Sequence, residues 1–215
     1  MGTDELFYKE RTCLLCGAKF KSAKVKRSKQ RMSERDSDFF VHYKGENTAF
    51  YNVYVCPECG YGFTDSFIPP KSTKIEKIQK EIAPVEEDLG GIRTVEKAIL
   101  AFEIALKCAL LGEQKKTIIA GLYLHLGWFN RVRKNEQEEY KNLAQALRFY
   151  EDALESERDL EDPATIFYLI GELNRRLGND KKAVNFFSRI VNDKEINNPN
   201  IIRMARERWQ EIRSS

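Results

Sequence analysis

Four of the five cysteines fall into two copies of one short pattern. CLLCGAKF (Cys13–Phe20) and CPECGYGF (Cys56–Phe63) both read C-x-x-C-G-x-x-F. Two thiolates at this spacing can bite one metal ion, because the short loop turns both sulfurs inward. The glycine after the second cysteine can take the positive φ that aims backbone N–H groups at the sulfurs. The phenylalanine gives each knuckle an apolar base. Cys13, Cys16, Cys56 and Cys59 are therefore expected to form a closed four-thiolate site for a structural Zn²⁺, with iron as the other metal such a set accepts. A closed site has no free coordination position, so its expected role is folding and not catalysis. Disulfides are disfavoured in a chain read as cytosolic. A redox pair would begin a helix inside a βαβ unit, and no such pattern flanks these cysteines. The fifth cysteine, Cys108, lies in an apolar helical stripe and reads as a small buried hydrophobe.

Between the knuckles lies an unusually long insert. Residues 19–35 carry eight basic side chains against one acidic one, Glu34. Lys24, Lys26, Arg27, Lys29 and Arg31 read as a phosphate-binding strip, which makes nucleic acid one partner class. The same run also reads as a solvated edge strand, where lysines prevent edge-to-edge pairing. Few aromatics are interleaved to stack on bases. RDSDF (Arg35–Phe39) follows. Its Asp36 and Asp38 can pair with the nearby Arg31 and Arg35, or cap a turn. AFYNVYV reads as a strand that delivers Cys56, with Tyr43, Phe50, Tyr51 and Tyr54 as core around the metal site.

The elements that must carry these groups change type at Pro69-Pro70. Helices are expected near 73–88, 94–111, 115–134, 137–156, 163–177, 180–193 and 199–213. Thr73–Glu76 reads as a capping box for the first. Asp162-Pro163 and Asn198-Pro199 are helix starts, and Gly178 is a stop. Ile170-Gly171, followed by Ala183, Phe187 and Ile190, resembles the tetratricopeptide (TPR) pattern of a first-helix L-G and a second-helix A-x-x-x-F. Leu126-Gly127 with Ala146, Tyr150, Ala153 and Leu154 reads as a second copy whose interval is seven residues too long. Ala98, Phe102, Ala105 and Leu106 read as a weak third. Such solenoids present a groove to a peptide or partner chain. The expected groove residues are Tyr123, Asn130, Arg131, Phe167, Asn174 and Arg175.

Composition sets the frame. The balance of apolar and charged residues fits a folded, soluble chain. No apolar run approaches a membrane span, and the first residues resemble neither a signal peptide nor a myristoylation site. A cytoplasmic protein is expected. Its net charge of +3 resides in residues 1–72, with 12 Lys/Arg against 9 Asp/Glu. No G-x-S-x-G, Walker or dinucleotide-binding motif occurs, and only two histidines exist, so no enzyme is expected. His125 reads as a structural or groove residue. An enzymatic site at the junction of the two parts, with RDSDF facing the helices, is the competing expectation.

CLLCGAKF, RDSDF, YNVYVCPECGY and the helical tail together resemble a bacterial domain family of unknown function, known mainly from Firmicutes and their relatives. The resemblance spans nearly the whole chain. It departs at Thr48-Ala49, where relatives tend to carry a proline. It implies the order of parts and no activity. The expected fold is α+β and mostly α: a small zinc-ribbon-like β module with a basic insert over 1–70, then a TPR-like α-α superhelix over 71–215. The expected function is a non-enzymatic protein-interaction adaptor. Oligomeric state is left open.

Overall fold

The computed structural model describes residues 4–158 and 160–214. Three two-stranded antiparallel hairpins come first. Strands β1 (Leu6–Thr12) and β2 (Lys19–Val25) form the first, β3 (Met32–Arg35) and β4 (Val41–Tyr43) the second, and β5 (Tyr54–Val55) and β6 (Gly62–Phe63) the third. Seven helices follow: α1 (Ser72–Glu81), α2 (Val95–Leu111), α3 (Lys116–Val132), α4 (Glu136–Ser156), α5 (Pro163–Arg176), α6 (Asp180–Asn192) and α7 (Pro199–Ser214). The chain is thus mixed α+β and mostly helical. No helix among the described residues is long and apolar enough to cross a membrane.

Local chemistry explains most boundaries. Asp162 caps α5 by accepting from the Thr165 N–H at 3.0 Å, with Pro163 at the first helical position. Asn198 accepts from the Ile201 N–H at the start of α7. The first helix corrects the expected 73–88. It begins after Lys71 without a side-chain cap, so Thr73 lies inside the first turn and the capping box does not form. It stops at Glu81 because Pro84 excludes helical backbone from Ala83. AFYNVYV also differs from the expected strand. Thr48–Tyr51 is a 3-10 turn, with the Asn47 side chain accepting from Ala49 N–H, and only Tyr54–Val55 is extended. A single asparagine acceptor thus redirects a segment of strong β propensity.

The helices repeat at a spacing of 44 residues. A Cβ on Gly127 would lie 2.6 Å from Leu143 Cδ2, and one on Gly171 would lie 2.7 Å from Phe187 Cε1. Asn130 donates to the Leu126 carbonyl as Asn174 does to Ile170. Lys134 and Gly178 both take positive φ after their helices. The α3–α4 and α5–α6 turns are therefore equivalent, and the expected seven-residue insertion between the glycine and its partner is absent. The extra length lies at the C-terminal end of α4. Ala146 and Tyr150 sit beyond the Gly127 contact on that longer helix. In the weak third copy, Ala105 has a strand as neighbour. A Cβ on Gly62 would lie 2.7 Å from the Ala105 nitrogen, so Ala105 admits β6, while α2 also packs on α3 through Phe102 and Phe129.

One continuous apolar core runs from Cys13, Tyr54 and Phe63 through Phe102, Phe129 and Leu143 to Leu173. A second cluster joins α5, α6 and α7 around Tyr168, Phe187 and Ile201. Leu6, Ala23, Val25 and Tyr51 form a small third one under the first hairpin.

Candidate metal centre and the hairpin dock

Each knuckle closes by the same backbone bonds. Gly17 N–H donates to the Cys13 carbonyl at 3.1 Å and Gly60 N–H to Cys56 at 2.9 Å. Cys13 N–H donates to Ala18 and Cys56 N–H to Tyr61. Both glycines take positive φ, +76° and +75°. The two motif phenylalanines meet each other, with Phe20 edge-on to Phe63 at 6.2 Å. Pairing the knuckles brings all four sulfurs within 4.8 Å of one another. Cys13 Sγ lies 3.7 Å from Cys59 Sγ, and Cys16 Sγ lies 3.8 Å from Cys56 Sγ. A disulfide needs about 2.05 Å, and all five cysteines are free.

Burial pushes the Cys13 thiol up to about 11 and raises Cys59 further, with the neighbouring thiols adding to the effect. At Cys16 burial acts in the same direction. The Ala18 N–H and hydrogen bonds from the other thiols outweigh it, so this exposed thiol falls below its ordinary value. A cation among the sulfurs would reverse the upward shifts, since a bound metal deprotonates its thiols. Cys108 lies outside the cluster, buried, and accepts from the Gly62 N–H at 3.3 Å.

The second assembly is built around RDSDF. Asp36 N–H donates to the Phe40 carbonyl and Phe39 N–H to Asp36, closing the β3–β4 turn. Phe39 adopts φ +74°, a conformation that costs an L-residue roughly 1–2 kcal/mol. This places its ring 5.2 Å from Tyr168, with the Arg35 guanidinium 4.6 Å above it. Phe40 stacks on Trp128. The two aspartates pair with helix arginines and not with Arg31 and Arg35, which corrects the local pairing expected from sequence. Arg131 donates to Asp36 at 2.5 Å, to Asp38 at 2.6 Å and to Glu139 at 2.7 Å. Arg176 reaches Asp38 at 3.3 Å and Glu172 at 2.9 Å. Ser37 Oγ donates to Glu172, while Tyr168 donates to the Ser37 carbonyl. Asp38 and Glu172 are fully buried. Burial alone would raise the Asp36 carboxyl. Hydrogen bonds from His42 and Arg131 and the charge of Arg131 outweigh it and hold that carboxyl below its ordinary value.

The other groove residues are placed as follows. Tyr123 stacks on Phe149 of α4, and Phe167 touches Phe186 of α6 beneath Arg189. Asn130 and Asn174 are buried on their own helices' carbonyls. Arg175 binds Glu172. Of the six, Arg131 is the one bonded to the hairpin. In the basic insert, Lys24 pairs with Asp65, and Lys26 and Lys29 share Asp4. Arg27 and Arg31 have no ion pair among the described residues.

Sequence reasoning missed Arg176, Glu172, Tyr168 and Trp128 as the hairpin's receptors. The doubled Arg175-Arg176, one repeat beyond Arg131, was the available signal. It also missed Arg93. This residue is 3% exposed and makes no salt bridge among the described residues, with Asp88 acting on it only at longer range. It donates twice to the Leu89 carbonyl and once to Phe50, tying the 48–51 turn to the entry of α2. Burial lowers it to about 10.

A cysteine-rich β part set against a helical array, with an acidic hairpin tip docked on helix arginines, defines the class of the molecule. The chain belongs to the family described as "Uncharacterized protein conserved in bacteria (DUF2225)", which matches residues 6–212. No curated protein and no solved structure matches it.

Proposed function

We propose that Cys13, Cys16, Cys56 and Cys59 hold one structural Zn²⁺ in a zinc-ribbon-like centre, and that the protein is a non-enzymatic adaptor with TPR-like helices. The observation that carries the metal reading is the sulfur spacing. A tetrahedral ion with Zn–S bonds of about 2.3 Å has edges of about 3.8 Å. Two cross-knuckle separations are 3.7 and 3.8 Å, and all four sulfurs lie within 4.8 Å of one another. The residues fit the ion, and the ion's contribution is to staple two hairpins that have little core of their own. The adaptor reading rests on the 44-residue helix repeat. It leaves half-buried Tyr123 and Phe167, one repeat apart and each against an aromatic ring of the following helix, as contacts for a protein partner. The carboxylates at the junction are saturated by arginines and hydrogen bonds, which disfavours a junction enzyme, where a free perturbed acid is needed.

Metal analysis of purified protein tests the first half. One zinc per chain is expected, and iron or no metal overturns it. The second half is tested with a photo-crosslinking residue at Tyr123 or Phe167 in cells, against the same residue at exposed Tyr140. A discrete protein adduct from the first two positions alone supports the adaptor. Nucleic-acid binding by the basic strip would show instead as RNA or DNA affinity that collapses between about 50 and 200 mM salt.

A further inference from the structure

Docking of the β3–β4 tip covers only one end of the surface formed by α3 and α5. Towards the other end lies a cleft of about 830 Å³, walled by β5 and the loop after β6 on one side and by α2, α3, α4 and α5 on the other. That volume is within the usual range for small-molecule sites. Its apolar wall includes Phe102, Leu122, Ile166 and Leu169. Two polar groups on the wall have no use inside the protein. The Tyr150 side chain is more than nine-tenths buried, yet its hydroxyl has no hydrogen-bond partner among the described residues. Tyr150 therefore offers an unspent donor and acceptor that is open to water, so a ligand group there has to match the water it displaces.

His125 supplies the second group. Its Nδ1 lies 2.7 Å from the Gly121 carbonyl, an acceptor, so Nδ1 carries the proton. Burial lowers the ring to about 4, so it is neutral near pH 7. Nε2 is then a bare acceptor with no partner of its own among the described residues, on a ring fixed by stacking on Phe102 at 5.1 Å. Anions are disfavoured, because four carboxylates, Asp65, Glu157, Glu161 and Asp162, line the cleft against one cation, Lys115. The N-terminus of α3 already holds Glu157, which accepts from the Lys116 and Thr117 N–H groups, and the N-terminus of α5 already holds Asp162.

We propose that this cleft binds a small amphipathic ligand bearing a hydroxyl or amine donor on an apolar body, with the donor on His125 Nε2 and Tyr150 as second contact. The inference goes beyond the adaptor reading and does not depend on it. The glycine ladder supplies a sharp test. A Cβ on Gly121 would have Tyr150 Oη as its nearest neighbour, at 4.0 Å, so alanine fits there without a clash and occupies the cleft. Glycine-to-alanine in a helix also stabilises.

The experiment uses three probes on one ring, benzyl alcohol, benzylamine and benzoate, titrated into the full metal-loaded chain by ligand-observed NMR. The alcohol and amine are expected to bind, and benzoate at least about tenfold more weakly. Tyr150→Phe is expected to weaken the first two about three- to tenfold. Gly121→Ala is expected to weaken them while the melting temperature holds or rises. Equal binding of all three probes, or alcohol and amine binding unchanged in both variants, overturns the proposal. So does no binding to the wild-type chain at millimolar probe. Zinc content measured on the same samples keeps failure of the metal reading separate.

Discussion

The β5–β6 knuckle meets α2 backbone to backbone, whereas the β3–β4 tip meets α3 and α5 through charge. At the first contact Gly62 lies against Ala105, and Gly60 lies where a Cβ would be 1.9 Å from the Ala83 carbonyl. At the second, Asp36 and Asp38 enter a set of side chains that includes Arg131, Arg176, Glu139 and Glu172. The first mode depends on shape and has no room for a methyl group. The second depends on every charge keeping its partner, because a lone buried charge is far costlier than a missing pair. The knuckle also carries two of the four thiols that must be gathered. The hairpin tip needs no ion, since its countercharges are built into the helices.

The largest effect is expected at the metal centre. Cys59→Ser, or chelation of the wild type, should remove a contribution on the order of 10 kcal/mol. Because the core runs from Cys13 to Leu173 without a break, the loss should reach the helices. Circular dichroism melts of chelated and metal-loaded protein check this. A melt of the chelated protein that is unchanged would mean that the sulfurs pack together without a metal.

The hairpin dock comes next. Arg131→Ala leaves Asp38 buried without its bidentate partner and should cost about 3–5 kcal/mol. The double variant Arg131→Met with Asp38→Asn should recover part of that loss, because the fully buried carboxylate is then neutral, while Asp36 and Glu139 keep partial access to water. Urea unfolding of the single and double variants decides between them. If the double variant is the less stable of the two, the contact is one of shape like the knuckle's.

Within the knuckles, two glycines that look alike in sequence should behave differently. Both have positive φ, but a Cβ on Gly17 would meet nothing within 4 Å, while one on Gly60 would strike Ala83. Gly17→Ala should cost about 1 kcal/mol, the backbone term alone. Gly60→Ala should cost about 3 kcal/mol, since displacement of the α1–α2 connection is added. Equal costs in thermal melts would remove the shape argument for that contact.

Legibility in the sequence followed the range of the interactions. The knuckles were readable because each carries its ligands, its turn glycine and its phenylalanine within eight residues. Helix starts marked by Asp162-Pro163 and Asn198-Pro199 were readable for the same reason. The 3-10 turn at Thr48–Tyr51 was not, because one Asn47 side chain outweighs the β propensity of AFYNVYV. The partners of RDSDF were not legible either. Arg31 and Arg35 are near in sequence, whereas Arg131 lies some 90 residues away and is brought in only by tertiary packing. The neighbour of Ala105 in α2 was not legible for a related reason. Small residues at helical spacing announce a close approach but not what approaches, and at Ala105 it is β6.

The two docks also differ in how acid should act on them. Asp36 is held below its ordinary carboxyl value, so the unfolded chain binds protons more readily than the folded one. Its contribution is complete above the ordinary value near 3.9 and is lost as pH falls through the lower, folded value. Zinc release in acid would mask this in the wild type alone, because both events destabilise. A comparison with Asp36→Asn separates them, since metal loss affects both chains alike. At pH 6 the variant should be about 2 kcal/mol less stable, having lost charge-assisted bonds to His42 and Arg131. As pH falls below about 4 the difference should shrink, because the unfolded wild-type chain then takes up a proton that the folded carboxyl resists. A difference that stays constant down to pH 3 would mean that Asp36 acts through its shape and its turn-closing backbone, and that its charge contributes nothing.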